Sequence, residues 1–101
     1  MKNVKYKLVK SGTGLNSTAK AKIKFNENDE YIDVLEYEKF ISIENDKKLY
    51  VEIYFGKKIY NGEFELGQYG ENLNIEFRVY PQEIKKAEII INDMIYNINI
   101  E

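Results

Sequence analysis

AKAKIKF, Ala19 to Phe25, sets small or apolar residues (Ala19, Ala21, Ile23, Phe25) in strict alternation with Lys20, Lys22 and Lys24. Successive side chains of a β-strand point to opposite faces, so this pattern describes a strand with one face in the core and one in water. The same period runs outward in both directions. Val4, Tyr6 and Leu8 alternate with Lys5 and Lys7. In LNIEFRVYP, Leu73 to Pro81, the residues Leu73, Ile75, Phe77 and Val79 face inward while Asn74, Glu76 and Arg78 face out. FISIENDKKLYVEIYF, Phe40 to Phe55, predicts two strands around a turn at Asn45-Asp46, with Leu49, Val51, Ile53 and Phe55 along one face of the second. AEIIINDMIYNINIE predicts two more strands around Asn92-Asp93, a pair that favours turns. IYNGEFEL adds a shorter strand, or a hairpin at Asn61-Gly62, the dipeptide of a type I′ turn.

Helix signals are few. Pro81 in PQEIKK suits the first position of a single helical turn. In NDEYIDVLEYEKF, Asp29 is placed to cap a helix carrying Tyr31, Val34 and Leu35 on one face, but Glu38 interrupts that stripe, which leaves 29–40 open between a short helix and an irregular strand. Seven or eight short strands at regular spacing predict an all-β fold. The expected form is a sandwich or small barrel of mainly antiparallel strands with at most one or two helical turns. No linker or repeat divides residues 1–101, so a single β domain is expected.

The 101 residues are 44% hydrophobic, enough for a core, and 32% charged with a net charge of -2. That charge is unevenly spread. Residues 1–24 hold seven lysines and no acid, whereas Asn26 to Asp46 holds eight acids against Lys39 alone. The absence of cysteine and histidine removes disulfides, thiol catalysis, the commonest metal ligand and the usual general base. MKNVKYKLVK has no apolar stretch of signal-peptide length, and nothing approaches the roughly 20 apolar residues of a membrane span. A cytoplasmic protein without a membrane partner is expected.

SGTGLNSTAK, Ser11 to Lys20, has the composition of a phosphate-cradling loop. Such a loop requires G-x-x-x-x-G-K-[ST] ahead of a helix whose N-terminus supplies the field. Here Gly12 and Gly14 are two apart, Ala21 follows Lys20, and a strand comes next. The stretch therefore predicts a long tip between strands. NENDE, Asn26 to Glu30, is rich in oxygen ligands but lacks the glycine and closing glutamate of a calcium loop. A solvated acidic loop is the simpler reading, with carboxylates standing in for phosphates on a basic target as the functional one. Glu63 and Glu65 share a strand face, as do Glu36 and Glu38, and such pairs are the minimum for glycoside hydrolysis. Glu83-Ile84-Lys85 and Asp46-Lys47-Lys48 echo metal-dependent nucleases. Neither pattern sits in a framework that builds a cleft, so no catalytic, cofactor or metal-binding residue is expected. YNGEFELGQYGE, Tyr60 to Glu71, resembles one copy of a membrane occupation and recognition nexus repeat through its Tyr-x-Gly-Glu-aromatic core. Those repeats work as stacked arrays, and this single copy has no neighbours.

Two features point to contact with a partner. If strands Val4–Val9 and Ala19–Phe25 pair, Lys5, Lys7, Lys20, Lys22 and Lys24 share one ribbon, because alternation carries both polar faces to the same side. Like charges facing across strands cost up to about 1 kcal/mol per pair, which a polyanion or an acidic protein surface offsets. Lysine on exposed strands also blocks sheet-to-sheet aggregation. In LYVEIYF, Tyr50 and Tyr54 flank Glu52 opposite the apolar face, where they form either a contact surface or a second core. The candidate partner-contacting residues are therefore the five lysines, Glu36 and Glu38 of the acidic segment, Tyr50, Glu52 and Tyr54. The expected function is a non-enzymatic protein–protein interaction module. A composition rich in Lys, Ile, Asn and Glu with three alanines fits an AT-rich genome, and its specific form is then a phage or mobile-element inhibitor of a host defence complex. The alternatives are a nucleic-acid binder using the lysine ribbon and a structural subunit, such as a virion component, that forms homo-oligomers.

Overall fold

The computed structural model describes residues 1–10, 19–55, 58–80 and 87–98, the side chains of residues 19, 55 and 58 excepted. Among the described residues nine strands form: β1 (Lys2–Lys10), β2 (Ala19–Lys24), β3 (Ile32–Val34), β4 (Lys39–Ile43), β5 (Lys48–Phe55), β6 (Lys58–Glu65), β7 (Asn72–Val79), β8 (Ala87–Ile91) and β9 (Met94–Ile98). No helix occurs among the described residues, and the ambiguous 29–40 segment resolves into β3 and the start of β4. Two sheets form, ordered β4-β1-β7-β8-β9 and β3-β2-β5-β6. The fold is all-β, and every pairing is antiparallel except that of β1 with β7. A parallel pair needs a long crossover between its members. Here the chain makes it by building the four-stranded sheet between β1 and β7.

The inward faces follow the alternation. Val4, Tyr6 and Leu8 of β1, Leu73, Ile75, Phe77 and Val79 of β7, and Ile89 and Ile91 of β8 line the five-stranded sheet. Ala21, Ile23, Val34, Leu49, Val51, Ile53 and Tyr60 line the other. Lys2 lies in phase with the inward residues of β1 and is 2% exposed. Its ammonium donates to the carbonyl of Gly70 at 2.9 Å and to that of Tyr69, while the Asn3 amide donates to the Glu71 carbonyl at 2.7 Å. These bonds satisfy a charge that burial would otherwise make costly and tie the start of β1 to the turn before β7.

The turns expected at Asn45-Asp46 and Asn92-Asp93 form, and of the two readings of IYNGEFEL the strand holds. The two strands around Asn45-Asp46, β4 and β5, enter opposite sheets. Both carry an apolar face, and those faces meet across the interior instead of lying side by side. Asn61-Gly62 lies inside β6, with Gly62 opposite Val51, so the stretch is the expected strand and not the hairpin. Gly62 occupies an inward position where an added Cβ would come 2.9 Å from Cε2 of Phe64, so the glycine provides room for that ring. The reversal comes between Phe55 and Lys58, which are register partners. Asn92 and Asp93 form the expected turn with φ of 47° and 71°, the two positive values that a type I′ turn requires. The Asn92 side chain accepts from the Asn74 amide at 2.8 Å and donates to the Asn72 carbonyl at 3.1 Å, holding the β8–β9 hairpin against β7. The tip at 11–18 and the proline segment 81–86 lie outside the described residues.

Candidate functional site

The lysine ribbon does not form. β1 is flanked by β4 and β7, and β2 by β3 and β5, so the two strands lie in different sheets. Because the apolar faces of both strands turn toward the shared interior, their polar faces turn to opposite sides of the sandwich. Lys5 and Lys7 stand on the outer face of the five-stranded sheet, and Lys20, Lys22 and Lys24 on that of the four-stranded sheet.

The β1 lysines are matched locally by carboxylates. The amide of Leu8 donates to the Leu35 carbonyl at 2.7 Å, so the connection after β3 runs beside β1. It brings Glu36 to 3.0 Å from Lys10 and Glu38 to 3.8 Å from Lys5, while Lys7 faces Glu76 across the parallel pair at 3.9 Å. Glu36 and Glu38 are thus neighbours of β1, and Glu36 also lines a cavity with Lys20, Lys22 and Asp33. Arg78 bonds to Glu76, and Tyr80 donates to Glu88, which is 9% exposed on this outer side. A groove of about 200 Å³ runs between Lys5, Lys7, Asn74, Glu76 and Ile90, and larger open ones of about 690 and 340 Å³ lie beside Phe25, Ile41 and Ile43 and beside Leu8, Lys22 and Asp33.

Six candidate residues converge on the outer face of the four-stranded sheet. Cross-strand register aligns Asp33, Lys22, Glu52 and Asn61 in one row, Lys24, Tyr50 and Glu63 in the next, and Lys20, Tyr54 and Ile59 on the other side. Glu52 is the hub. It accepts from the Tyr54 hydroxyl and lies near Tyr31, whose phenol is raised above its ordinary pKa first by burial and then by Glu52. The bond to Glu52 is the largest cause of the same rise at Tyr54. The Lys24 ammonium sits 4.8 Å from the centre of the Tyr31 ring and 5.2 Å from that of Tyr50, and donates to the Glu27 carbonyl at 3.2 Å. Glu63 and Glu65 do share a face, as their spacing predicts, and both approach Lys48, at 3.7 and 3.4 Å. That contact raises the Lys48 pKa. Exposed pairs of this kind add little stability.

Tyr31, Asp33 and Lys48 belong to this face and are absent from the candidates read out of the sequence. Tyr31 precedes β3 and so falls outside any alternating run. Asp33 and Lys48 become neighbours of the lysines and glutamates only through the β2–β3 and β5–β6 registers. Among the described residues no three acidic side chains converge to hold a metal ion, and no helix is long and apolar enough to cross a membrane. Comparison with known protein families, with characterised proteins and with solved structures gives no match.

Proposed function

We propose that this chain is a non-enzymatic protein-interaction module whose contact surface is the outer face of the four-stranded sheet, centred on Lys22, Tyr50, Glu52 and Tyr54. The observation that carries the reading is the interleaving of charge. Each β2 lysine stands in a cross-strand row that also holds a tyrosine or a carboxylate. A phosphate backbone laid along β2 would also lie on Asp33, Glu52 and Glu63, whereas a protein surface of alternating sign meets all of them. Flat, tyrosine-bearing surfaces with fixed polar tips are typical of protein contact patches. In its specific form the proposal is a phage or mobile-element protein that occludes a host defence complex, supported by the composition of the chain.

The test pairs a contact variant with a control on the opposite side. Proteins captured by the chain from bacterial lysate are identified, and the affinity of the retained one is measured for Lys22→Glu with Tyr54→Ala and for Lys5→Glu with Lys7→Glu. The first pair weakens binding at least tenfold, the scale of losing one contact hot spot, and the second leaves it within about twofold. The opposite ranking refutes the assignment of the face. The nucleic-acid reading retains three lysines on this face, so it requires a slope of log K against log salt near -2.7. Sub-micromolar binding of DNA or RNA at about 0.15 M salt, with that slope, would replace the proposal.

A further inference from the structure

Four strands bound the two sheets: β4, β9, β3 and β6. Sheet edges expose unpaired backbone groups and are usually guarded by charge. β3 carries Asp33, β4 begins at Lys39, and β6 holds Lys58, Glu63 and Glu65. β9, Met-Ile-Tyr-Asn-Ile, has no charge at all, and it leaves Met94 and Ile95 55% and 60% exposed, one on each face of the sheet. Its free edge follows from the hairpin. Ile91 and Met94 flank the two-residue turn and are register partners, and in such hairpins the flanking pair is the hydrogen-bonded one. Every second pair then points its backbone groups at β8, so the amides and carbonyls of Ile95 and Asn97 point away from the sheet.

We infer that β9 pairs with β9 of a second copy of this chain, antiparallel about a two-fold axis at Tyr96, and joins the two five-stranded sheets into one. That axis sets Ile95 opposite Asn97 of the second copy and Asn97 opposite its Ile95. These are the residues with outward backbone groups, so the register makes both hydrogen-bonded pairs that the edge offers. It also sets Met94 opposite the second copy's Ile98 on the inward side. A two-fold axis brings like against like, which a charged strand resists and this uncharged one does not. The contact is a single five-residue strand pair, well below the area of a standard stable interface, so the dimer is weak.

Sedimentation of the full chain from about 0.01 to 1 mM reads the equilibrium, and amide exchange of the wild-type chain reads the register. The dimer fraction rises with concentration, and the Ile95 and Asn97 amides gain protection in step with it. Ile95→Lys on the exposed edge weakens association at least roughly tenfold. Phe40→Lys, on the opposite edge strand of the same sheet, leaves it intact. A chain that stays monomeric at about 1 mM, an open-ended assembly, a dimer indifferent to Ile95→Lys, or Ile95 and Asn97 amides whose exchange ignores concentration each overturns the inference. The exchange result decides independently of how well the variants fold.

Discussion

Tyr60 is 1% exposed, opposite Ile53 on the β5–β6 ladder, and its hydroxyl has no hydrogen-bond partner. A hydroxyl taken from water into an apolar interior without a bond costs about 1–3 kcal/mol. Tyr60→Phe keeps the ring and removes only that oxygen. The variant gives back some contact with the atoms around the oxygen but removes the whole desolvation penalty, so a net gain of about 1 kcal/mol is expected. With a urea m-value of roughly 1–3 kcal/mol/M, the midpoint moves up by about 0.3–1 M at unchanged m, and Tm rises by about 4–8 °C. Far-UV circular dichroism followed through urea at neutral pH measures it. Tyr60→Phe lowering stability by about 1 kcal/mol or more would refute the reasoning, because the phenol would then have a partner worth keeping. Titration supplies a second reading. Burial raises the Tyr60 pKa above its ordinary value of 10.0, so the folded state favours the neutral phenol. Its contribution is complete below the unfolded pKa and is lost as pH rises through the folded one. The variant therefore loses less stability than the wild type above pH ~10.

The same sign applies to Tyr6 and Tyr69, both raised chiefly by burial, so Tyr60→Phe still unfolds in alkali, measured as the pH midpoint of the circular dichroism signal. Lys2→Met removes the two bonds to the Tyr69 and Gly70 carbonyls; a loss of about 1–3 kcal/mol is expected, with faster amide exchange at Asn3. Unchanged exchange there would show that Lys2 does not tie β1 to the turn. Phe77→Ala, at a fully buried position, costs roughly 3–5 kcal/mol. Tyr54→Ala on the outer face leaves the urea midpoint close to wild type. A fall comparable to that of Phe77→Ala would make this face a second core rather than a contact surface.

The half-buried strands were legible because alternation is a property of the backbone itself. Val4, Tyr6 and Leu8, or Leu73, Ile75, Phe77 and Val79, can be assigned to the interior without knowing what they touch, and all are buried. The Asn92-Asp93 turn was legible for the same reason, since its two positive φ values are a local demand that these residues meet. Asn61-Gly62 shows where local reasoning leaves strand and hairpin undecided. The same dipeptide chemistry serves an extended strand when a neighbouring ring, Phe64, needs the space a side chain would fill. The contact face was half legible. Tyr50, Glu52 and Tyr54 share one strand and so one side, but Lys20, Lys22 and Lys24 become their neighbours only through the β2–β5 register.

From sequence alone follow the all-β class and, for β1, β2, β5 and β7, the strand and its inward side, because these depend on residues two apart in one chain segment. Tertiary structure alone decided which strands adjoin. It placed β1 beside β7 in parallel and sent β4 and β5 to opposite sheets, and it divided the N-terminal lysines between two sides of the molecule. The physical reason is that an apolar strand face is satisfied by any other apolar face of similar width. Alternation therefore orients each strand toward the core while leaving its neighbours to the packing of the whole chain.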